Sequence, residues 1–358
     1  MAEKSSDASV AYPLLVVVNP DPDSSSSQKV FSLADQKLHD MTPLESNNKM
    51  YFTTPQGWVL VVVSDSNSPS DHDDPPGTTY LLNPQDGSRI ELPALKDDGV
   101  LPENCRCILS GRAAAAAPGC AVLVFDLQSP VLWFCRVGGH DDDDEGNRRR
   151  RWTRHGYDIG CYALPEEYCP VPKKKNLFDI AAVNGRFFFF DSNGSLGTLD
   201  FAYNNNNDGG GELEARLGAI AVPGIEFSDG ITCTHVLESC GELFLVNIAF
   251  PGFCVDGLAG ELSVYRMDFC SEPPAWRRTR CVGDDRAFLL GCSNFAAACP
   301  ASGCGLKANC VYWVNGFGEE NSELRVFRID DGSSELLRRF ENGQVLSGIF
   351  SLVTTPRF

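Results

Sequence analysis

The sequence predicts an all-β fold: a β-propeller of six blades, each a four-stranded antiparallel sheet, with seven blades as the alternative. Three observations predict it. A strand–Gly–strand–turn–strand unit recurs along the whole 358-residue chain, and repetition on this scale decides architecture. Several strands alternate with period two, while Val59 to Val63 and Phe187 to Phe190 are apolar on both faces, as suits sheets covered on both sides. Helix signals are scarce, since no long stretch carries a 3.6-residue apolar stripe with caps.

The units follow one another in order. The first is Tyr12 to Val18, paired with Lys29 to Leu33. The second is Gly57-Trp58 to Val63, followed by Thr78 to Leu82. The third joins Ala121 to Leu127 with Val131 to Val137 and Trp152 onward. The fourth is the clearest copy: Asp179 to Gly185, Arg186 with the four phenylalanines, the turn Asp191 to Ser195, and Leu196 to Asp200. The fifth is Glu242 to Ile248, Leu262 to Asp268 and Trp276 to Cys281. The sixth is Asn309 to Val314, Leu324 to Asp330 and Glu335 to Phe340. A late strand, Val345 to Val353, is placed to complete the first blade and close the ring.

Matching strand starts at Gly57, Cys120, Gly185, Gly241 and Asn309 lie 56 to 68 residues apart, more than the roughly 40–50 that a blade needs. Polar or small insertions account for the excess: Ser64 to Gly77, Ala113 to Ala117, Gly139 to Arg151 and Asn204 to Gly211. They belong on the surface. The domain reading is a disordered amino end over 1–10 and one propeller domain over 11–356. Trp58 and Trp313 are expected inside inner strands, and Trp152 and Trp276 at the openings of outer ones. All four are expected to pack between blades.

The net charge of −18 argues against general nucleic-acid binding, which needs a basic face. The amino end lacks a signal-peptide pattern, and no apolar run approaches the ~20 residues that span a bilayer. The expected location is therefore the cytoplasm or nucleus, away from membranes. In that setting the 15 cysteines read as reduced structural thiols.

No chemical motif rises above its bland alternative. The gaps between Cys292, Cys299, Cys304 and Cys310 do not fit structural zinc. Cys105-Arg106-Cys107 is expected to send its thiols to opposite faces of a strand. The histidines (His39, His72, His140, His155, His235) form no ligand couple; His72 and His140 sit in solvated acidic loops, and His235 reads as a satisfied, partly buried strand histidine. Asn193-Gly194-Ser195-Leu196-Gly197 lacks the first Gly of a nucleophile elbow and reads as a turn whose Asn-Gly supplies positive φ. Gly303 to Ala308 matches G-x-G-x-x-A, yet is expected neither to follow a strand nor to open a helix. Arg148 to Arg151 with Arg154, and Lys173 to Lys175, read as solvated loops rather than docking patches. The expectation is no catalytic, cofactor-binding or metal residues, and no cofactor.

An ordered series of weak motifs adds a resemblance. The pieces are Gly57-Trp58, Asn83 to Pro93, Asp179 to Asp200, His235 to Val246, Val264 to Asp268 and Gly283 to Gly291. In this order the chain resembles the plant KIB-type β-propeller family, a domain of unknown function found in many F-box proteins. The resemblance implies a propeller that recruits protein partners, often as the substrate-binding half of a ubiquitin-ligase subunit, and carries over no catalytic residues. Met1 to Pro13 is too short for the helical F-box segment of about 40 residues that precedes the propeller in such members, so direct docking to a ligase adaptor is not expected. Two other readings stay open: an enzyme with a central-pocket site, which needs convergent His, Asp or Glu at inner-strand ends, and a relative of F-box proteins with no retained activity.

Overall fold

The computed structural model describes residues 13–17, 29–40, 49–63, 77–95, 101–102, 104–111, 119–138, 151–162, 172–192, 194–204, 212–227, 231–250, 260–291, 295–315, 322–340 and 350–351. The amino end over 1–10, His72, His140, Cys292, Asn193, Arg148 to Arg150 and nearly all of the four insertions lie outside them.

The chain is all-β, a propeller whose sheets follow one another along the sequence. The first sheet holds β1 (Leu14–Val17), β2 (Lys29–Ser32) and β3 (Lys37–Asp40). The second holds β4 (Lys49–Thr53), β5 (Val59–Val63), β6 (Thr79–Leu82) and β7 (Arg89–Leu92). The third holds β8 (Cys105–Leu109), β9 (Ala121–Asp126), β10 (Val131–Arg136) and β11 (Thr153–Gly156). The fourth holds β12 (Ile180–Val183), β13 (Arg186–Ser192), β14 (Ser195–Asn204) and β15 (Glu212–Ala221). The fifth holds β16 (Ile231–Ser239), β17 (Glu242–Phe250), β18 (Glu261–Asp268) and β19 (Ala275–Thr279). The last holds β20 (Arg286–Gly291), β21 (Phe295–Pro300), β22 (Cys310–Asn315), β23 (Ser322–Arg328) and β24 (Ser334–Phe340). Finally β25 (Phe350–Ser351) returns to β1, pairing Leu15 with Phe350 and Leu14 with Ser351. It gives the first sheet its fourth strand and joins the last described strand to the first.

The blade count differs from expectation. Among the described residues the four-stranded antiparallel sheet occurs five times, not the six or seven expected. The remaining sheet has five strands and one parallel pair, β20 with β22. Its cause is β21, which folds back on β20. The chain then crosses through a single 3-10 turn, Ser302–Cys304, and lays β22 on the far side of β20. The segment Gly303 to Ala308 therefore does follow a strand, contrary to expectation. The signal was hidden because Ala296 to Ala298 are poor strand formers.

Side-chain period explains why central strands are apolar on both faces. In β9, Val122 and Val124 enter the core shared with the second sheet. Ala121, Leu123 and Phe125 enter the core shared with the fourth. In β13, Phe187 and Phe189 face the third sheet while Phe188 faces the fifth. In β22, Val311 and Trp313 join the core with the fifth sheet, and Tyr312 and Val314 pack with Phe31 and Leu33 of the first. Each such phenylalanine contributes about 1.5–3 kcal/mol by leaving water. Cys105 and Cys107 are both buried in the core between the second and third sheets. The expectation of opposite faces is overturned, because strand residues two apart share a face.

Two turns require glycine. The β12–β13 hairpin turns through Asn184 (φ 51°) and Gly185 (φ 85°), and the β16–β17 hairpin through Cys240 (φ 54°) and Gly241 (φ 80°). Two successive positive φ values are the mark of the tight turn that matches strand twist. Gly194, expected to supply a positive φ, does not. Trp313 lies within β22, in the middle of its sheet; Trp58 stands just before β5 and is only partly buried. Trp276 packs between the fourth and fifth sheets. Trp152 spans the second and third, donating its indole N–H to Pro93 O at 2.9 Å.

Candidate functional site

One edge strand of each sheet packs on that of the next: β4 on β8, β8 on β12, β12 on β16, β16 on β21. Where β12 meets β16, a pocket of about 320 Å³ opens. The segment leading into β12 builds one wall, and local bonds hold it in place. Tyr162 N–H donates to Lys173 O and Lys175 N–H to Gly160 O. Asn176 donates its side-chain N–H to Leu127 O at 3.2 Å, and Leu177 N–H donates to the Tyr157 hydroxyl at 2.8 Å. These anchors leave Phe178 at the rim, 41% exposed, although it is a large apolar ring. Phe190 lies opposite, with its ring 6.2 Å from that of Phe227. The ion pair of Lys175 Nζ with Asp191 Oδ1, 3.3 Å and largely sheltered, supplies a polar edge.

Two lining residues, Asp179 and Cys233, flank the buried His235 behind the pocket wall. Asp179, just before β12, accepts the N–H of Val236 at 2.9 Å. His235 is 1% exposed, and its Nδ1 stands 3.5 Å from Asp179 Oδ2. That separation lacks hydrogen-bond alignment, so the contact is an ion pair. The other ring nitrogen, Nε2, lies 3.3 Å from Cys233 Sγ. Cys233 and His235 share a face of β16, being two residues apart. Burial by itself would lower the imidazole pKa, but the Asp179 carboxylate and the Cys233 thiol outweigh it and raise it to about 10. Burial raises that of Asp179, against the opposing pull of His235, the Val236 N–H and Arg106.

The other candidates do not join this site. His39 pairs with Asp35 on the first sheet at 2.9 Å, and His155 lies in β11. The lysine run is not a free basic patch: Lys174 pairs with Asp158 at 3.1 Å and Lys175 with Asp191. Among the described residues no group of three or more His, Cys, Asp or Glu is arranged to hold a metal. No helix there is long and apolar enough to cross a membrane.

The model of the KIB1-4 beta-propeller matches residues 30–333. The chain belongs to the KIB1-4 beta-propeller family. The match spans most of this KIB1-4 propeller and takes in all the described pocket residues. No curated protein matches the chain. Solved structures with a match include a protein from Lactobacillus plantarum, 11% identical over 93% of this chain and 97% of that one, with a TM-score of 0.36. Dihydro-heme d1 dehydrogenase NirN in complex with DHE is 12% identical over 96% of this chain and 76% of that one, with a TM-score of 0.28. At such scores neither bears on the chemistry of this KIB1-4 propeller.

Sequence reasoning placed His235 correctly in a strand but treated it as an isolated residue. The pairing with Asp179 was missed because it joins positions 56 residues apart on neighbouring sheets. The spacing of Cys233 and His235 was the one local signal.

Proposed function

We propose that this propeller is a protein-interaction domain acting in the cytoplasm or nucleus, and that the pocket between β12 and β16 receives a side chain of the partner. One observation carries the reading. Phe178 keeps a large apolar surface in water at the rim of a pocket whose walls add Ile159, Tyr162 and Phe190. Exposed aromatic rings beside a pocket with a polar rim are the features that anchor protein partners. Membership of the KIB1-4 beta-propeller family is compatible with a protein-interaction role. The net charge of −18 favours partners with basic or neutral surfaces over nucleic acid.

The test is quantitative affinity capture from plant-cell extract with the wild-type chain and Phe178→Glu, both at equal recovery. Specific proteins held by the wild type and lost with Phe178→Glu support the proposal. Recovery of chaperones alone at good expression, or an identical set with both baits, counts against it.

A further inference from the structure

The grouping of Cys233, His235 and Asp179 has a chemistry that partner docking does not use. A thiol becomes a nucleophile when a neighbouring cation favours its thiolate, and a third group that orients the imidazole completes the arrangement. Here the imidazole is buried between a carboxylate 3.5 Å away on one side and a sulfur 3.3 Å away on the other. Cys233 is half-buried and lines the open pocket. The remaining described thiols have different settings. Cys107 and Cys135 are sealed in an apolar core, where burial pushes their thiols up. Cys240 and Cys270 are exposed, and neither shares a bond with an imidazole among the described contacts.

We propose that Cys233 is a nucleophilic thiol that exchanges with low-molecular-weight disulfides entering the pocket, forming a mixed disulfide. The step balances with the groups in place. The Cys233 thiolate attacks one sulfur of the incoming disulfide, and a new S–S bond forms as the old one breaks. The departing sulfur keeps the bonding pair and takes a proton from the His235 imidazolium. Cys233 is thereby oxidised and the released thiol is the reduced product. A second free thiol runs the exchange backwards. Asp179 acts as a positioning residue: it holds the ring and favours its charged form. The inference shares its pocket with the interaction reading but needs no partner, so either can fail alone.

The experiment uses the purified, fully reduced chain and oxidised glutathione as the probe. Peptide mass spectrometry follows the rate of mixed-disulfide formation at each cysteine. Cys233 is expected to react about tenfold faster than Cys240 and Cys270, despite its lower exposure. Asp179→Asn and His235→Gln are expected to slow Cys233 about tenfold while leaving Cys240 and Cys270 unchanged, and continued protection of the buried Cys107 and Cys135 reports that each variant is folded. A wild-type Cys233 rate no greater than that of Cys240 and Cys270 overturns the proposal, whether or not the variants fold. So does a Cys233 rate that neither folded variant alters.

Discussion

The carboxylate of Asp179 accepts the backbone N–H of Val236 at 2.9 Å, joining the entry to β12 with the middle of β16. One side chain thus ties the fourth sheet to the fifth and faces the buried His235. Removing it leaves an imidazolium without its counter-charge and a backbone donor without its acceptor. Breaking a buried pair by deleting one partner costs about 3–5 kcal/mol. Asp179→Ala is therefore expected to lower stability by about that amount in denaturant unfolding. Asp179→Asn, which retains an oxygen acceptor, is expected to cost less.

The same pair sets a pH dependence. The folded pKa of His235, about 10, lies above its ordinary value of 6.5. A raised folded pKa means that the folded state holds a proton the unfolded chain releases. The stabilisation is full below 6.5 and is lost as pH rises through about 10. The groups facing the ring are Cys233 and Asp179, with Arg106 acting on the carboxylate. Melting temperatures of the wild type are expected to fall across that interval, and those of Asp179→Asn to fall less steeply.

Glu323 gives the opposite sign. Burial alone would raise its pKa, but Arg339 and Arg325, both in contact at 2.7–2.8 Å, hold it below the ordinary 4.5. A depressed folded pKa contributes stability above 4.5 that is lost as pH falls through the folded value. Acid melting of Glu323→Gln is expected to be flatter than that of the wild type in this range.

Gly197 sits opposite Phe189 across the β13–β14 pair. A β-carbon there would stand 2.1 Å from Phe189 Cε2, so the ring occupies the space the glycine leaves. Gly197→Ala is expected to destabilise by about 1–3 kcal/mol, as overpacking does. In a double-mutant cycle with Phe189→Leu, the loss is expected to be smaller than the sum of the two single losses.

Much of the architecture was legible in the sequence, and what was not has identifiable causes. Strands such as Val59–Val63 and Phe187 to Phe190 declare themselves, because sheets stacked on both faces demand apolar residues at every position. The strand Phe295–Pro300 did not, since its small residues fill a tight core instead of displaying a strand composition. Missing it hid the five-stranded sheet and its parallel pair. The pocket was harder still. Asp179 and His235 each look ordinary in their own segment, and only the packing of β12 on β16 brings them together. Phe178 reads as one more phenylalanine until its exposure is seen.

On the interaction reading, the rim around Phe178 meets a protein partner. Site-specific photocrosslinking tests it most directly, with Phe178→p-benzoyl-phenylalanine compared against the same substitution at Leu336, an equally exposed apolar position on β24. Discrete crosslinked polypeptides are expected from position 178 and not from position 336. No crosslinks at 178, or the same products from both positions, would contradict it.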